Sequence, residues 1–186
     1  INAGGRVGES TLGVRLLTTE DPEEAAQIAA QLSQLNEERR AIEAEVQDAG
    51  EAQLAGQANR ALRIVHGSGW HPGVIGIVAG RIKEKTGRPS LVIARDAATG
   101  LGKGSGRSIP GVDLGAAIMA AREEGLLEAG GGHAMAAGLT VREDKIEALS
   151  EWLEARLERQ VAAASAEASL GFDLSLGPRA LTVELV

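Results

Sequence analysis

The chain has 186 residues and a formal net charge of −7, with 44% hydrophobic residues, 24% charged residues and no cysteine. This length fits one domain, or one domain with pieces of its neighbours, and the lack of cysteine excludes a disulfide framework and a thiolate metal site. The acidic balance argues against broad, non-specific nucleic-acid binding, but it is compatible with a small basic groove.

The sequence carries no signal for a membrane or for secretion. It has no apolar run of the ~18 residues that a membrane span needs, and no signal-peptide pattern follows Ile1. Because the chain starts with isoleucine and lacks cysteine, we expect a segment of a longer protein from a reducing, cytoplasmic compartment.

Residues 1–18 predict a turn and a short helix, which we interpret as the edge of a preceding domain. Gly4, Gly5 and Gly8 surround Arg6. Two interpretations stay open: a plain turn, or an arginine held on a glycine loop to bind an anion.

A long helix is predicted from Asp21 to Gly50. Asp21 can cap this helix, and Pro22 suits its first turn. Apolar residues recur along it with heptad-like spacing, at Ile28, Leu32, Leu35, Ile42 and Val46. Such a helix spans roughly 40 Å, and its single apolar seam predicts a connector between two bodies. A coiled-coil dimer is the alternative.

The next segment predicts a strand, a helix and a second strand. Residues 61–66 and 90–95 are short apolar runs, and the helix between them runs from Pro72 to a Gly-Arg-Pro stop signal. This βαβ pattern predicts a parallel pair of strands. Gly76 and Gly80 share one side of the helix, where they would allow close approach to the sheet.

The sequence GKGSGRS at residues 102–108 is the most informative stretch. As a strand, it places Lys103, Ser105 and Arg107 on one face and only glycine on the other. Two cations and a hydroxyl in a row predict an anion site, since arginine can grip a phosphate with two hydrogen bonds. The alternative is a flexible glycine-rich loop with solvated charges. The spacing excludes a Walker A loop.

A second candidate site, GGGH, follows a helix predicted over 112–122. Without side chains, Gly130, Gly131 and Gly132 would let a ligand lie against backbone N–H groups. His133 could then donate a hydrogen bond or a positive charge to a phosphate. A tight turn with a structural histidine is the alternative.

The last elements predicted are a strand over 136–142, an amphipathic helix over 143–160 with a helix end or linker after it, and a turn and strand over 170–186. The other histidines, His66 and His71, are interpreted as structural or capping residues. The three histidines lack metal-ligand spacing, and no nucleophile–base pair is found. From its residues alone, the chain can hold a phosphate but not break one.

The chain resembles the DHH phosphoesterase family, in its branch of single-strand-specific DNA exonucleases, through four stretches in this order: INAGGR, GWHPGVIGIVAGRIKEKTGRPSLVIA, GKGSGRSIPGVDL and GGGHAMAAGLTV. Together with the elements above, this resemblance implies an α/β fold. It would have a mixed sheet with flanking helices around a βαβ core, preceded by a long connecting helix. The implied parts are the edge of the catalytic DHH domain at 1–20, the connecting helix at 21–59, the DHH-associated domain at 60–162, and a linker with the start of an OB-fold-like region at 163–186.

The resemblance also implies an activity. The full-length protein would be a hydrolase that degrades single-stranded DNA from 5′ to 3′, for DNA repair and recombination in the bacterial cytoplasm. Its cofactor would be Mn²⁺ or Mg²⁺ in a two-metal site with ligands upstream of Ile1, so this chain alone would be inactive. The implied partners are single-stranded DNA, a single-strand-binding protein and a helicase, and the protein would be a monomer.

Family residues carry over to this sequence one by one. The 5′-phosphate contacts of the family match Ser105 and Arg107, and its INAAGR-like arginine matches Arg6, although INAGGR has glycine where alanine is usual. The GGGH histidine, which faces the active site near the scissile bond, matches His133 as the catalytic residue. Lys103 is added from strand alternation, and the glycines at 130–132 are added for their bare backbone.

Aromatic residues are scarce, at 2% of the chain. Trp70 and Trp152 are the only tryptophans, and Trp152 lies on an apolar helix face that predicts a core position. Stacking on bases, which single-strand binding usually uses, would therefore come mostly from elsewhere in the longer protein.

Two other functions stay open. A sister DHH phosphoesterase would act on short oligonucleotides or cyclic dinucleotides. A non-enzymatic interaction module would bind a partner, or dimerise, through the apolar seam of the long helix.

Overall fold

The computed structural model describes residues 2–167, which form a five-stranded sheet with helices on both faces. The helices are α1 (Gly4–Val7), α2 (Leu12–Thr18), α3 (Pro22–Gln53), α4 (Ile75–Thr86), α5 (Leu114–Glu123) and α6 (Ile146–Glu167). The strands are β1 (Arg63–Ser68), β2 (Ser90–Asp96), β3 (Leu101–Arg107), β4 (Ala129–His133) and β5 (Ala136–Arg142). Short 3₁₀ turns at Leu54–Gln57 and Glu143–Lys145 follow α3 and precede α6.

The strands are arranged in the order β1-β2-β3-β5-β4. β1 and β2 run parallel and are joined by α4, whereas the other three pairs are antiparallel. The sheet is therefore mixed and contains a βαβ unit, which confirms the predicted fold class. β2 is an apolar run over most of its length because helices cover both faces of this part of the sheet.

Helix α4 begins at Ile75 rather than at the predicted Pro72. The residues before it form a turn, in which the Nδ1 of His71 accepts the backbone N–H of Gly73 at 3.0 Å. This local hydrogen bond holds the chain out of the helical conformation, so Pro72 lies in a turn and not at the first helical position. The helix ends as predicted at Gly87, which adopts the left-handed conformation with φ 62°.

Helix α6 is longer than the helix predicted over 143–160. It begins after the 3₁₀ turn and continues to Glu167, across the domain boundary predicted at residue 162. From Leu149 onward its buried apolar residues recur every fourth position, at Leu149, Leu153, Leu157 and Val161. Because Val161 is still in the core, the segment after residue 160 continues the helix. The turn and strand predicted over 170–186 lie outside the described residues.

Each face of the sheet has its own apolar core. On one face, α5 and α6 pack against Leu91, Ile93 and Leu139. On the other face, α4 and the end of α3 pack against Val65 and Val92. This second face continues past α4 as an open surface over β3, β5 and β4, and the polar residues singled out by the sequence lie there.

The apolar seam of α3 is covered by the chain itself. Ile28 and Leu32 are buried against Leu12 of α2. Val46 is buried beside the sheet, and Ile42 packs next to it. The long helix is confirmed, its role as a connector between two bodies stays a prediction, and a coiled-coil dimer would have to break these contacts.

Candidate functional site

Strand β3 places the polar residues of GKGSGRS on the open face of the sheet. Lys103 is exposed, Ser105 and Arg107 are half-buried, and the glycines between them are buried. Every residue of β3 pairs with both β2 and β5. The predicted alternation is confirmed, and the flexible-loop alternative is wrong.

The glycine face of β3 is filled by apolar side chains rather than by a second backbone. A Cβ on Gly104 would lie 2.7 Å from Leu139. One on Gly106 would lie 2.6 Å from Leu114 of α5. The glycines therefore let β3 press directly onto the core, which holds its polar face in one position.

A groove of about 400 Å³ lies over the polar face of β3. Lys103, Ser105 and Arg107, which the sequence placed on one face of a strand, line it together with Arg6 and the first turn of α4. We call it the cation groove. Its floor also includes Gly138 and Thr140 of β5.

Arg6 reaches the groove from helix α1, not from a glycine loop. Its Nη1 donates to the carbonyl oxygen of Gly73 at 3.3 Å. A Cβ on Gly73 would lie 2.0 Å from the Arg6 carbonyl oxygen, so only glycine at position 73 lets α1 come this close. The contacts with Gly73, in the turn before α4, therefore fix the position of Arg6 in the groove.

Arg107 and Ser105 form a pre-arranged pair. The Nη1 of Arg107 donates to Ser105 Oγ at 3.2 Å and to the carbonyl oxygen of Gly106 at 2.8 Å. A Cβ built on Gly76 of α4 would lie 3.0 Å from Arg107 Nη2 and 3.0 Å from Ser105 Oγ. The predicted close approach is thus confirmed at Gly76. At Gly80 it is wrong, because nothing lies within 4 Å of a Cβ there.

The N-terminus of α4 adds positive potential to the groove. The first backbone N–H groups of a helix have no acceptor within the helix and carry partial positive charge. Ile75 and Gly76 belong to this first turn and line the groove. An anion bound there would meet backbone N–H groups as well as guanidinium and hydroxyl donors.

The cations of the groove are not neutralised by neighbouring carboxylates. Eight cations elsewhere in the described chain form ion pairs: Arg15, Arg39, Arg60, Arg81, Lys83, Lys85, Arg95 and Arg142. Within residues 2–167, Arg6, Lys103 and Arg107 form none, and no carboxylate lines the groove. On a chain with a net charge of −7 this is a local excess of positive charge, which favours an anionic ligand.

The GGGH stretch is an edge strand, β4, and not a tight turn. His133 pairs with Ala136 of β5, which pairs in turn with Arg107 of β3. Residues paired across strands share a face, so His133 and Arg107 lie on the same face, two strands or roughly 10 Å apart. By the same register, Gly131 lies in the row of Ser105.

The hairpin between β4 and β5 fixes the orientation of His133. Its Nδ1 accepts the backbone N–H of Met135 at 3.3 Å, so the neutral ring carries its proton on Nε2. The carbonyl oxygen of Ala134 accepts the N–H of Leu114 at 3.1 Å, which ties the hairpin to α5. A Cβ on Gly115 would lie 2.8 Å from the His133 carbonyl oxygen, so this contact needs glycine.

The three glycines of β4 have different surroundings. A Cβ on Gly130 would lie 2.9 Å from Ile118 of the core, and one on Gly132 would lie 2.3 Å from the carbonyl oxygen of Ala136. Nothing lies within 4 Å of a Cβ on Gly131. Only Gly131 of these three therefore has open space beside its backbone that a ligand could occupy. Gly130 lets β4 pack on the core, and Gly132 lets it pack closely on β5.

Sequence reasoning missed two glycines that shape the site, Gly73 and Gly115. Gly73 follows a proline, which signals a turn but not which backbone will approach it. Gly115 lies in the first turn of α5, where glycine is less favourable than alanine. A glycine at such a position indicates a close backbone contact, and this was the signal that the sequence offered.

The described residues offer no metal site. Within residues 2–167, no group of three or more His, Cys, Asp or Glu side chains could hold a metal ion. His71 caps the turn before α4, and His66 is half-buried, where burial and then Arg95 lower its pKa below the usual 6.5. The site can therefore bind an anion, but this part of the chain supplies no metal-activated nucleophile.

None of the helices described between residues 2 and 167 is both long and apolar enough to cross a bilayer.

Comparison with known proteins places residues 53–159 in the family model of the DHHA1 domain. The chain is 36% identical over 147 residues to the single-stranded-DNA-specific exonuclease RecJ of Bacillus subtilis, covering 78% of this chain and 18% of that protein. It is 40% identical over 172 residues to the protein of the same name from Dickeya dadantii, covering 83% of this chain and 29% of that protein. The chain thus spans less than a third of the length of these relatives.

Solved structures of RecJ from Thermus thermophilus have the same fold as the chain. The crystal structure with Mn²⁺ matches with a TM-score of 0.70 and 35% identity, covering 86% of this chain and 23% of that chain. The crystal structure with Mg²⁺ also gives a TM-score of 0.70, with 24% of that chain covered.

Proposed function

The chain belongs to the DHHA1 domain family, and from that premise we propose that it forms the DNA-binding wall of a 5′-to-3′ exonuclease specific for single-stranded DNA. The main support is the cation groove, in which Arg6, Lys103 and Arg107 converge around Ser105. The similarity to exonucleases named for single-stranded DNA supports the choice of ligand.

The groove would hold the 5′-terminal phosphate. Arg107 and Ser105 donate hydrogen bonds to its oxygens, and the N–H groups of Ile75 and Gly76 add further donors. A terminal phosphate carries up to about two negative charges at neutral pH, more than the single charge of an internal phosphodiester. The groove therefore favours a strand end over the middle of a strand.

Further along the same face, His133 and Gly131 would contact the next part of the strand. The Nε2–H of His133 donates to an oxygen of the phosphodiester that is cut, and it stabilises the negative charge that grows there during attack. Gly131 leaves room for the strand to pass. Arg6 and Lys103 would hold the strand around the 5′-phosphate by charge.

Hydrolysis needs a divalent metal ion, Mn²⁺ or Mg²⁺, which would activate the attacking water. Because residues 2–167 hold no metal-binding cluster, its ligands would come from another part of the full-length protein. We place that protein in DNA repair and recombination in the bacterial cytoplasm. Its monomeric state and its association with a single-strand-binding protein and a helicase stay predictions, which co-purification would test.

Binding of the chain to three labelled DNAs tests the proposal. We expect a 5′-phosphorylated single strand to bind at least about tenfold more tightly than the same strand with a 5′-hydroxyl, because hydrogen bonds to charged groups contribute about 1.5–3 kcal/mol. A blunt duplex should bind more weakly than either. Fluorescence anisotropy at fixed salt measures all three, and equal affinities would overturn the proposed function.

A further inference from the structure

A second cavity, of about 690 Å³, adjoins the cation groove. It lies between the turn at 68–72, after β1, and the turn at 96–99, after β2, and we call it the Trp70 pocket. Small-molecule sites have volumes of about 300–1,000 Å³, so this one is large enough for a ligand. The pocket and the groove share Pro72, Lys103 and Thr140, which makes them one continuous surface.

Three residues that line the Trp70 pocket, Ala94, Lys103 and Thr140, belong to one row of the sheet, which Gly67 continues beneath Trp70. Gly67, Ala94, Lys103 and Thr140 lie side by side on four neighbouring strands. A Cβ on Gly67 would lie 2.2 Å from the indole of Trp70, so the ring occupies the space that a side chain would fill. The indole thus stands at one end of the row and Lys103 nearer the other, with the small Ala94 between them.

The walls of the pocket are mostly apolar, and of its charged residues Arg95 and Asp96 have partners within the protein, whereas Lys103 is shared with the cation groove. Trp70, Pro72, Ala97, Ala98 and Leu101 provide the apolar lining. At the rim, Arg95 pairs with Glu143, and Asp96 accepts the N–H of Ala98 at 3.0 Å. The pocket therefore suits a flat, uncharged ring better than a second phosphate.

We propose that the Trp70 pocket holds the base of the 5′-terminal nucleotide whose phosphate lies in the cation groove. Ser105 and Lys103 are two positions apart on β3, or roughly 7 Å along the strand, so both sites lie within reach of one nucleotide. Stacking on an aromatic ring tolerates any base, so the pocket accepts the four nucleotides alike. This inference rests on the proposed function, since the phosphate orients the nucleotide.

The test uses three 5′-phosphorylated oligothymidylates that differ in the presence of one base: one intact, one abasic at the first position and one abasic at the fifth. Stacking of one base contributes about 1–3 kcal/mol, which corresponds to about 5–150-fold in affinity. We expect the first-position abasic strand to bind at least about fivefold more weakly than the intact strand. The fifth-position abasic strand should bind like the intact one.

Two glutamine variants probe the pocket from the protein side. Ala97→Gln extends a neutral side chain from the lining, and Ala163→Gln makes the same change on the exposed surface of α6, across the sheet. Ala97→Gln should weaken binding of the intact strand and leave the abasic strand unchanged. Ala163→Gln should change neither.

Tryptophan fluorescence tests whether the Trp70 pocket binds the 5′-terminal base even if Ala97→Gln does not fold. In a Trp152→Phe background Trp70 is the only tryptophan, and its emission should be quenched by the intact strand but not by the first-position abasic strand. Equal affinity and equal quenching for these two strands, with the 5′-phosphate preference retained, would overturn the base pocket alone. Loss of the 5′-phosphate preference would instead overturn the proposed function, and the pocket with it.

Discussion

The space beside Ser105 and Arg107 exists because residue 76 has no side chain. A Gly76→Ala variant adds a Cβ 3.0 Å from both Ser105 Oγ and Arg107 Nη2, so these groups must shift. We expect the preference for a 5′-phosphate, measured by anisotropy, to fall several-fold. Unchanged preference would mean that the pair is not the phosphate site.

Gly80→Ala is the matched control for this change. It lies in the same helix, and nothing stands within 4 Å of the added Cβ. Because alanine is more favourable than glycine in a helix by about 1 kcal/mol, the free energy of unfolding should rise by up to that amount. DNA binding should not change.

His66 gives the stability of the protein a pH dependence. Burial, followed by the charge of Arg95, lowers the pKa of His66 below its usual 6.5, against the opposing pull of Glu147 and Glu143. The unfolded chain therefore takes up this proton at a higher pH than the folded protein does. Stability should fall as pH drops through about 6.5 and level off below the pKa of the folded state.

Urea unfolding between pH 8 and pH 5 measures this effect. In His66→Gln, the loss of stability that begins near the normal histidine pKa as the pH falls should disappear. In His133→Gln, which changes a residue of the exposed hairpin, this loss of stability should remain. Carboxylates with lowered pKa values, such as Glu24 and Asp144, lose their stabilising ionisation only below about their unfolded values of 4.5 and 3.8. An unchanged slope in His66→Gln above pH 5 would contradict the assignment.

The residues on β3 could be assigned from the sequence because strand alternation is a local rule. Lys103, Ser105 and Arg107 needed only a period of two to be placed on one face. The roles of Gly73 and Gly115 could not be found in this way, since each depends on a backbone that is distant in sequence. Close approaches of that kind follow from tertiary packing, which the local pattern does not encode.

At the scale of elements, helix α3 is fixed to the domain by a buried carboxylate. Glu43 is 1% exposed and forms ion pairs with Arg39 of the same helix and Arg81 of α4. Arg39 lies between Leu35 and Ile42, where the heptad-like spacing would place an apolar residue, and it pairs with this carboxylate instead. The pairs set how the connecting helix lies against α4.

Replacing this carboxylate should loosen the helix. Glu43→Gln leaves two arginines without their charge partner, and we expect the free energy of unfolding in urea to fall by about 2 kcal/mol. This is less than the roughly 3–5 kcal/mol for breaking a fully buried pair, because Arg81 reaches water. Glu45→Gln, at an exposed position of the same helix, should stay within about 0.5 kcal/mol. If Glu43→Gln lowers the free energy of unfolding no more than Glu45→Gln does, the role of Glu43 in fixing α3 would be contradicted.

The sequence predicted the βαβ unit and the long helix well, because apolar runs, caps and the Gly-Arg-Pro stop are strong local signals. Strand β4 was different, since Ala129–His133 has almost no side chains with strand preference. It becomes a strand because β5 pairs with it and α5 packs closely against its backbone.

At the scale of the whole molecule, the net charge of the chain is negative, whereas the cation groove is positive. The chain carries a charge of −7, yet one surface collects three cations that are unpaired within residues 2–167. Of the other cations of the described residues, eight pair with carboxylates, many of them on the helices. This distribution favours a ligand with concentrated charge, such as a terminal phosphate, over the length of a duplex.

The most direct test is the ratio of affinities for 5′-phosphorylated and 5′-hydroxyl single strands, measured for the wild type and for Arg107→Ala. Arg159→Ala, an exposed arginine on α6 across the sheet, is the matched control. We predict a ratio of at least about ten in the wild type and in Arg159→Ala, falling to near one in Arg107→Ala, because the guanidinium bonds the terminal phosphate. The same ratio in all three proteins would contradict the assignment of the cation groove to the 5′ end.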